Sequence, residues 1–466
     1  MISKLLDRGV GALSLATLVC VGVVEWTGFS GARLLADCTA ALLTFVLALE
    51  TPMSRRVFAL IGLALAVAAF IAAPGDPAWA WALVERALRT AAFIAAFFAA
   101  LATLRNASAS AVAIQKAGRF LAQQPPGRRY LALTAGGQLF GMLLNYGAIV
   151  LLGGMAAASA REDPDPEIRA HRTRRMLLAV QRGFVSTLPW SPIAFAVAIT
   201  TALTPGARWA DAAGPCIVSG LILAGVGYAL DTAFKPKLSR PAPARRAPEG
   251  GWALLLPLVG LLILLFVSAL TLHVLSDVRI VGVVMALVPA ISAVWIALQN
   301  PETPWSTLGS RARDYFETEL PSYRGEMLLL MMAGFIGTLG AGLLGPVLER
   351  SAIDLSAVPA WLLLGSFVWV IPILGQAGMN PILSVSLLAP LLPASAAMGV
   401  APSDVIVALT AGWALSGANS PYTATTLLIG SLGGVSAQHV GLVWNGLYSL
   451  VAGLALTVWV VLVVAW

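Results

Sequence analysis

Apolar runs long enough to cross a bilayer, which takes about 20 residues, recur from one end of the chain to the other. They occupy 10–28, 34–50, 57–73, 79–104, 176–203, 213–234, 251–272, 280–299, 326–348, 403–430 and 438–465. The pattern predicts an all-α polytopic membrane protein of about 11 transmembrane helices. Two further apolar segments, 131–158 and 357–393, do not read as plain spans. Gly136, Gly137, Gly141, Asn145 and Gly147 interrupt the first; Pro372, Gly375, Gly378, Asn380 and Pro381 interrupt the second. Both are expected to be re-entrant hairpins, because such backbone survives at membrane depth only where protein or a wet cavity shields it.

Composition agrees with the pattern. Of 466 residues, 59% are hydrophobic and 11% charged, with a mean hydropathy of +0.86; soluble domains carry about 25% charged residues. The net charge of +7 does not point to nucleic acid, since the basic residues sit in short loops. With the N-terminus cytoplasmic and 131–158 a hairpin, only Arg33, Arg208, Arg279 and Arg350 lie outside. Arg86, Arg89 and Arg182 fall within spans, and the other 22 of the 29 Lys and Arg lie inside. A single crossing at 131–158 would leave 12 inside against 14 outside. The positive-inside rule therefore favours the hairpin. It places the chain in a bacterial inner membrane, N-terminus cytoplasmic and C-terminus periplasmic. Lys4 and Arg8 precede an apolar run with no small-residue cleavage site, so an uncleaved first helix is expected. Residues 107–124 have the pattern of an amphipathic helix on the cytoplasmic surface.

The halves repeat each other. Gly183-Phe184 followed by Ser191-Pro192 corresponds to Gly412-Trp413 followed by Ser420-Pro421, at an offset of 229 residues. Gly137-Gln138, Gly141-Met142 and Asn145 parallel Gly375-Gln376, Gly378-Met379 and Asn380. This gives an extra helix at 1–33, repeat 1 at 34–234 (hairpin 131–158, broken helix 176–203), a Pro- and Arg-rich cytoplasmic linker at 235–250, and repeat 2 at 251–466 (hairpin 357–393, broken helix 403–430). Each unit has an odd number of crossings, so the second is expected to be inverted relative to the first. In such folds substrate sits at the midplane between discontinuous helices.

That layout, with the segment Gly417-Ala418-Asn419-Ser420-Pro421-Tyr422-Thr423-Ala424-Thr425-Thr426, resembles the ion transporter superfamily. That group includes divalent-anion:sodium symporters and arsenite or sodium/proton carriers. The Ser-Asn-Thr signature of its carboxylate symporters does not occur at 137–145 or 375–381. The resemblance implies secondary transport.

Ser416, Asn419, Ser420 and Thr423 fall at i, i+3, i+4 and i+7, one face of a helix. Pro421 releases the Gly417 carbonyl, and Pro192 and Pro189 release those of Leu188 and Val185. Freed carbonyls suit small cations and half-helix N-termini suit anions; alternatively, such polar residues tie helices together. Asn145, Asn380, Gln138 and Gln376 at the hairpins, and Ser191 in the first broken helix, complete a symmetric candidate set. Arg182 either snorkels to the cytoplasmic surface or faces an anionic substrate. Glu85 and Arg89, spaced i, i+4, suit a structural ion pair. No carboxylate lies deep in either broken helix.

The expectation is a secondary transporter of a small, anionic solute, a carboxylate or oxyanion, working by elevator-like alternating access. Na+ or H+ would be the coupling ion, with no cofactor or metal. The partners would be the solute, the lipid bilayer and a second copy docked through scaffold helices 34–104 and 251–348, with no nucleic acid. The alternatives are a passive channel or an enzyme acting on a lipid-linked substrate. His171, His273 and His439 are scattered, and HExxH, GxSxG and P-loop patterns do not occur. Cys20, Cys38 and Cys216 stand alone in apolar runs as packing residues.

Overall fold

A computed structural model of the chain describes residues 2–73, 75–109, 111–236, 250–350 and 355–465. These residues form a polytopic all-helical membrane protein without strands. Nine helices among them are long and apolar enough to cross a membrane. The remaining two expected spans are each a pair of helices end to end: Pro166–Val185 with Phe195–Leu203, and Pro402–Asn419 with Ala424–Gly433. The 131–158 segment folds as the helix Pro126–Leu144, a turn, a short π-helical stretch and the helix Gly154–Arg161. The 357–393 segment runs as the helix Ala360–Gln376, a turn and the helix Pro381–Leu388.

The chain forms two compact units, each drawing on both halves of the sequence. One comprises Met1–Ala107, Leu265–Ala357 and Ile382–Pro393; the other comprises Ser108–Leu264, Val358–Pro381 and Ala394–Trp466.

The first unit is tied together at its loop ends by charge. Arg324 meets Glu50 at 2.6 Å and Asp7 at 3.5 Å, and Arg8 meets Glu317 at 3.0 Å. Arg279 pairs with Glu25, and the Trp26 indole donates to the Gly282 carbonyl at 3.2 Å. Arg89 pairs with Glu85, as their spacing suggests. In each of these pairs the arginine side chain is exposed, so each contributes little stability. The helix interiors rest on small residues: Gly334 is seated against Thr90 and Ile94, and Gly337 against Ser386.

The second unit is built on helix crossings so close that backbone meets backbone. Asp165 caps the Pro166–Val185 helix by accepting from the Glu167 and Ile168 amides at 2.8 and 3.3 Å, with Pro166 at the first helical position. Gly183 of this helix lies on the Thr134 carbonyl, and Gly412 of the Pro402–Asn419 helix lies on the Phe367 carbonyl. The two glycines are partners in the sequence repeat and make the same contact in the two halves. A Cβ at either would collide with the facing carbonyl oxygen. Gly183→Val or Gly412→Val is therefore expected to cost about 3 kcal/mol, the upper end of ordinary overpacking. Fluorescence-detected size exclusion should show a sharply reduced folded fraction, and a normal profile for both variants would disprove the close crossing.

Candidate functional site

All ten polar residues singled out in the sequence belong to the second unit. Pro192 and Pro421 supply no backbone N–H, and near each the helix stops, at Val185 and Asn419 respectively, before resuming at Phe195 and Ala424. The chain between is a compact turn in each case.

In the second break nearly every released backbone group finds a side-chain partner. The Gly417 carbonyl is indeed freed, but the Thr425 hydroxyl occupies it. The Ala418 carbonyl accepts from the Asn445 amide at 3.1 Å and from Gln181 at 3.3 Å. Gln376 donates to the Asn419 carbonyl at 3.0 Å, and the Ser420 carbonyl accepts from Thr423 at 2.9 Å and Thr426 at 2.5 Å. Ser420 Oγ donates to the Gly375 carbonyl at 2.7 Å, clasping the break to the turn after Ala360–Gln376. Gly375 is also the floor beneath Ser416, since a Cβ there would stand 2.6 Å from Ser416 Oγ. Ser416, Asn419, Ser420, Gln376 and Gly375 are thus one cluster. The expected single helical face ends at Asn419. Ser420 begins the turn, and Thr423 precedes the next helix, where its hydroxyl lies 3.0 and 3.1 Å from those of Thr425 and Thr426.

In the first break the caps are indoles. Trp190 donates to the Ser186 carbonyl at 2.9 Å, and Trp209 donates to the Trp190 carbonyl at 3.0 Å. Gln138 donates to Ser186 Oγ at 2.8 Å, joining the first helix–turn–helix to this break as Gln376 joins the second to its own. Ser191 lies in the turn with 1% of its surface exposed. The two breaks approach each other at Gly417, whose missing Cβ would sit 3.3 Å from Val185 and 3.4 Å from Leu188.

Asn145 has φ +50° and terminates Pro126–Leu144, its amide donating to the Gly141 carbonyl at 3.0 Å. A positive φ is uncommon outside glycine, and Asn is among the residues that adopt one more often than most. In the other helix–turn–helix Gly378 takes the positive φ, +95°, so Asn380 follows the turn instead of closing it.

Three side-chain oxygens in the two breaks are buried with no hydrogen-bond partner: Ser191 Oγ, Ser416 Oγ and Asn419 Oδ1. Buried polar atoms are paired in the great majority of cases; unpartnered ones occur elsewhere in the chain too, and these three differ in lying at helix interruptions, where a polar solute or ion could be accommodated. The helices Phe195–Leu203 and Ala424–Gly433 start just beyond these turns, and their N-termini favour negative charge.

Arg182 does not snorkel. It is 6% exposed, with its guanidinium 4.4 Å from the centre of the Tyr448 ring. Its N–H groups donate to Asn445 Oδ1 at 3.1 Å, to the Tyr130 hydroxyl at 3.3 Å and to the Trp444 carbonyl at 3.4 Å. The nearby Asp231 carboxylate is held by Arg175 through two bonds of 2.7 and 2.8 Å. Asn445 also donates to Gln181 at 2.9 Å, which closes a buried chain from Arg182 to the second break. Gln181 and Asn445 escaped the sequence reading. Their one signal is that each is a lone amide in an apolar stretch, which is a weak one. Among the described residues no three His, Cys, Asp or Glu side chains gather as a metal site.

No family model matches the sequence, and no curated protein does so either. The fold does match solved structures. The YdaH transporter of Alcanivorax borkumensis superposes with a TM-score of 0.61 at 15% identity, over 88% of this chain and 98% of that one. MtrF of Neisseria gonorrhoeae, described with a class of antimetabolite efflux pumps, gives 0.50 at 14% identity over 89% and 96%.

Proposed function

We propose that this chain is a secondary transporter carrying a small anionic solute, a carboxylate or oxyanion, across a bacterial inner membrane, coupled to H+ or Na+. The observation that carries this reading is the set of unpartnered oxygens of Ser191, Ser416 and Asn419, buried at two helix breaks that lead into helix N-termini. Neutral donors, positive dipole ends and no carboxylate at the breaks suit an anion better than a bare cation. The fold shared with YdaH and MtrF, both transport proteins by description, supports carriage over catalysis. The layout of two helix–turn–helix segments and two broken helices supports the ion transporter superfamily and an inverted pair of repeats. In this reading Asn145, Asn380, Ser191, Asn419, Ser420 and Thr423 line one cavity near the bilayer midplane. Their gathering in one compact unit is what an elevator mechanism requires of its moving part. The apolar faces of 34–104 and 251–348 are where a second copy would dock.

Uptake of radiolabelled carboxylates and oxyanions into proteoliposomes, with and without a Na+ or pH gradient, tests the proposal. Gradient-driven accumulation is expected; leak without accumulation indicates a channel, and no flux of any anion rejects the assignment. The orientation has its own test. A cysteine replacing Glu162, which is exposed, and another at Ala242 of the linker, which lies outside the described residues, are expected to react with impermeant maleimide only from the cytoplasm. Labelling of either from the periplasm would overturn the hairpin reading of 131–158.

A further inference from the structure

We infer that the outer face of the Val112–Ala122 helix, together with Arg128 and Trp252, is a docking surface for the headgroups of anionic phospholipids. This goes beyond the transport reading and does not depend on it. The helix is two-sided: Ile114, Ala117, Phe120 and Leu121 are buried within the second unit, whereas Val112, Gln115, Lys116 and Arg119 are exposed. The exposed four fall at i, i+3, i+4 and i+7, one stripe along the helix. Arg128, also exposed, follows just past the Pro125-Pro126 turn.

The charge of this surface is of one sign. Between Glu85 and Glu162 the sequence contains no carboxylate at all. Among the described residues no ion pair engages Lys116, Arg119 or Arg128. Three solvated cations without internal partners are a poor structural device but a ready ligand set for phosphate diesters.

Trp252 locates the surface at the membrane boundary. It opens the apolar span Trp252–Ser276, is 51% exposed, and meets Phe120 edge-on with ring centroids 5.2 Å apart. Indoles at span ends settle at headgroup level, so the helix bearing Phe120 lies at that level too. Val112, 63% exposed at the start of the stripe, suits the acyl boundary beneath the phosphates. A stripe of unpaired cations beside an indole at the membrane boundary matches a phospholipid leaflet, whereas a nucleic acid offers no such boundary for the indole.

Native mass spectrometry on the full chain, purified with equal phosphatidylglycerol and phosphatidylcholine, tests this surface. Wild-type protein is expected to retain phosphatidylglycerol preferentially. K116Q/R119Q/R128Q should lower that preference about a hundredfold, while R311Q/R313Q, in the Pro304–Asp314 helix of the first unit, leaves it unchanged. Equal preference in wild type and the triple variant overturns the inference. A second measurement needs no variant: raising salt to about 1 M should weaken the wild-type preference by screening, and salt-independent retention equally overturns it.

Discussion

Replacing Asn445 by Leu is expected to lower the thermal unfolding midpoint of the purified protein by several degrees. Asn445 is fully buried, and its amide serves four groups: it accepts from Arg182 and donates to Gln181, Ala418 and Val440. Leucine fills the same volume but strips an acceptor from a buried guanidinium and a donor from the Gln181 side chain and from two backbone carbonyl oxygens. Removing one partner of a buried charge costs about 3–5 kcal/mol. Arg182 keeps Tyr130 and the Trp444 carbonyl, which argues for the lower end of that range. Asn445→Asp keeps the acceptor and loses the donors, so its midpoint should fall between the two. A Leu variant that melts like wild type would remove Asn445 from any structural role.

The double substitution Asn419→Ala with Ser420→Ala should reduce gradient-driven anion uptake about a hundred-fold, since each lost polar ligand is worth roughly 1–3 kcal/mol when buried and 1.4 kcal/mol is tenfold. Ser420 also clasps Gly375, so the single variants separate two effects. Ser420→Ala should loosen the turn and lower the melting point. Asn419→Ala removes a carboxamide whose oxygen has no partner within the chain and should leave melting unchanged while weakening uptake. Undiminished uptake in the double variant would dispose of the proposed site.

Much of this architecture is written locally. Pro192 and Pro421 announce both helix breaks because a missing N–H and a ring clash act on their own turn. Gly183 and Gly412 stand out because the repeat places them at one offset, and both prove to be contact points with a neighbouring carbonyl. Extending a helical face through Pro421 was less informative. Thr423 keeps its spacing from Ser416 in the sequence, but the helix ends at Asn419 and the face ends with it. The release of the Gly417 carbonyl was legible; its recapture by Thr425, eight residues on, depends on how the turn closes. Least visible was the company of Arg182. Its partner Asn445 lies 263 residues away, and no periodicity or motif links a guanidinium to one amide at that distance. Tyr130 and Tyr448, which complete its surroundings, read as ordinary aromatics in the chain.

The glycine crossings have a thermodynamic corollary. Where Gly183 rests on Thr134 and Gly412 on Phe367, the nearest opposing atoms are main chain, with the tip of Ile371 also beside Gly412, so few side-chain rotamers freeze there on folding and few thaw on warming. Contacts between long apolar side chains can trade one rotamer for another and slide; a crossing of two backbones has one register or none. The second unit should therefore fail abruptly when heated, holding its two breaks in fixed alignment until both crossings part together.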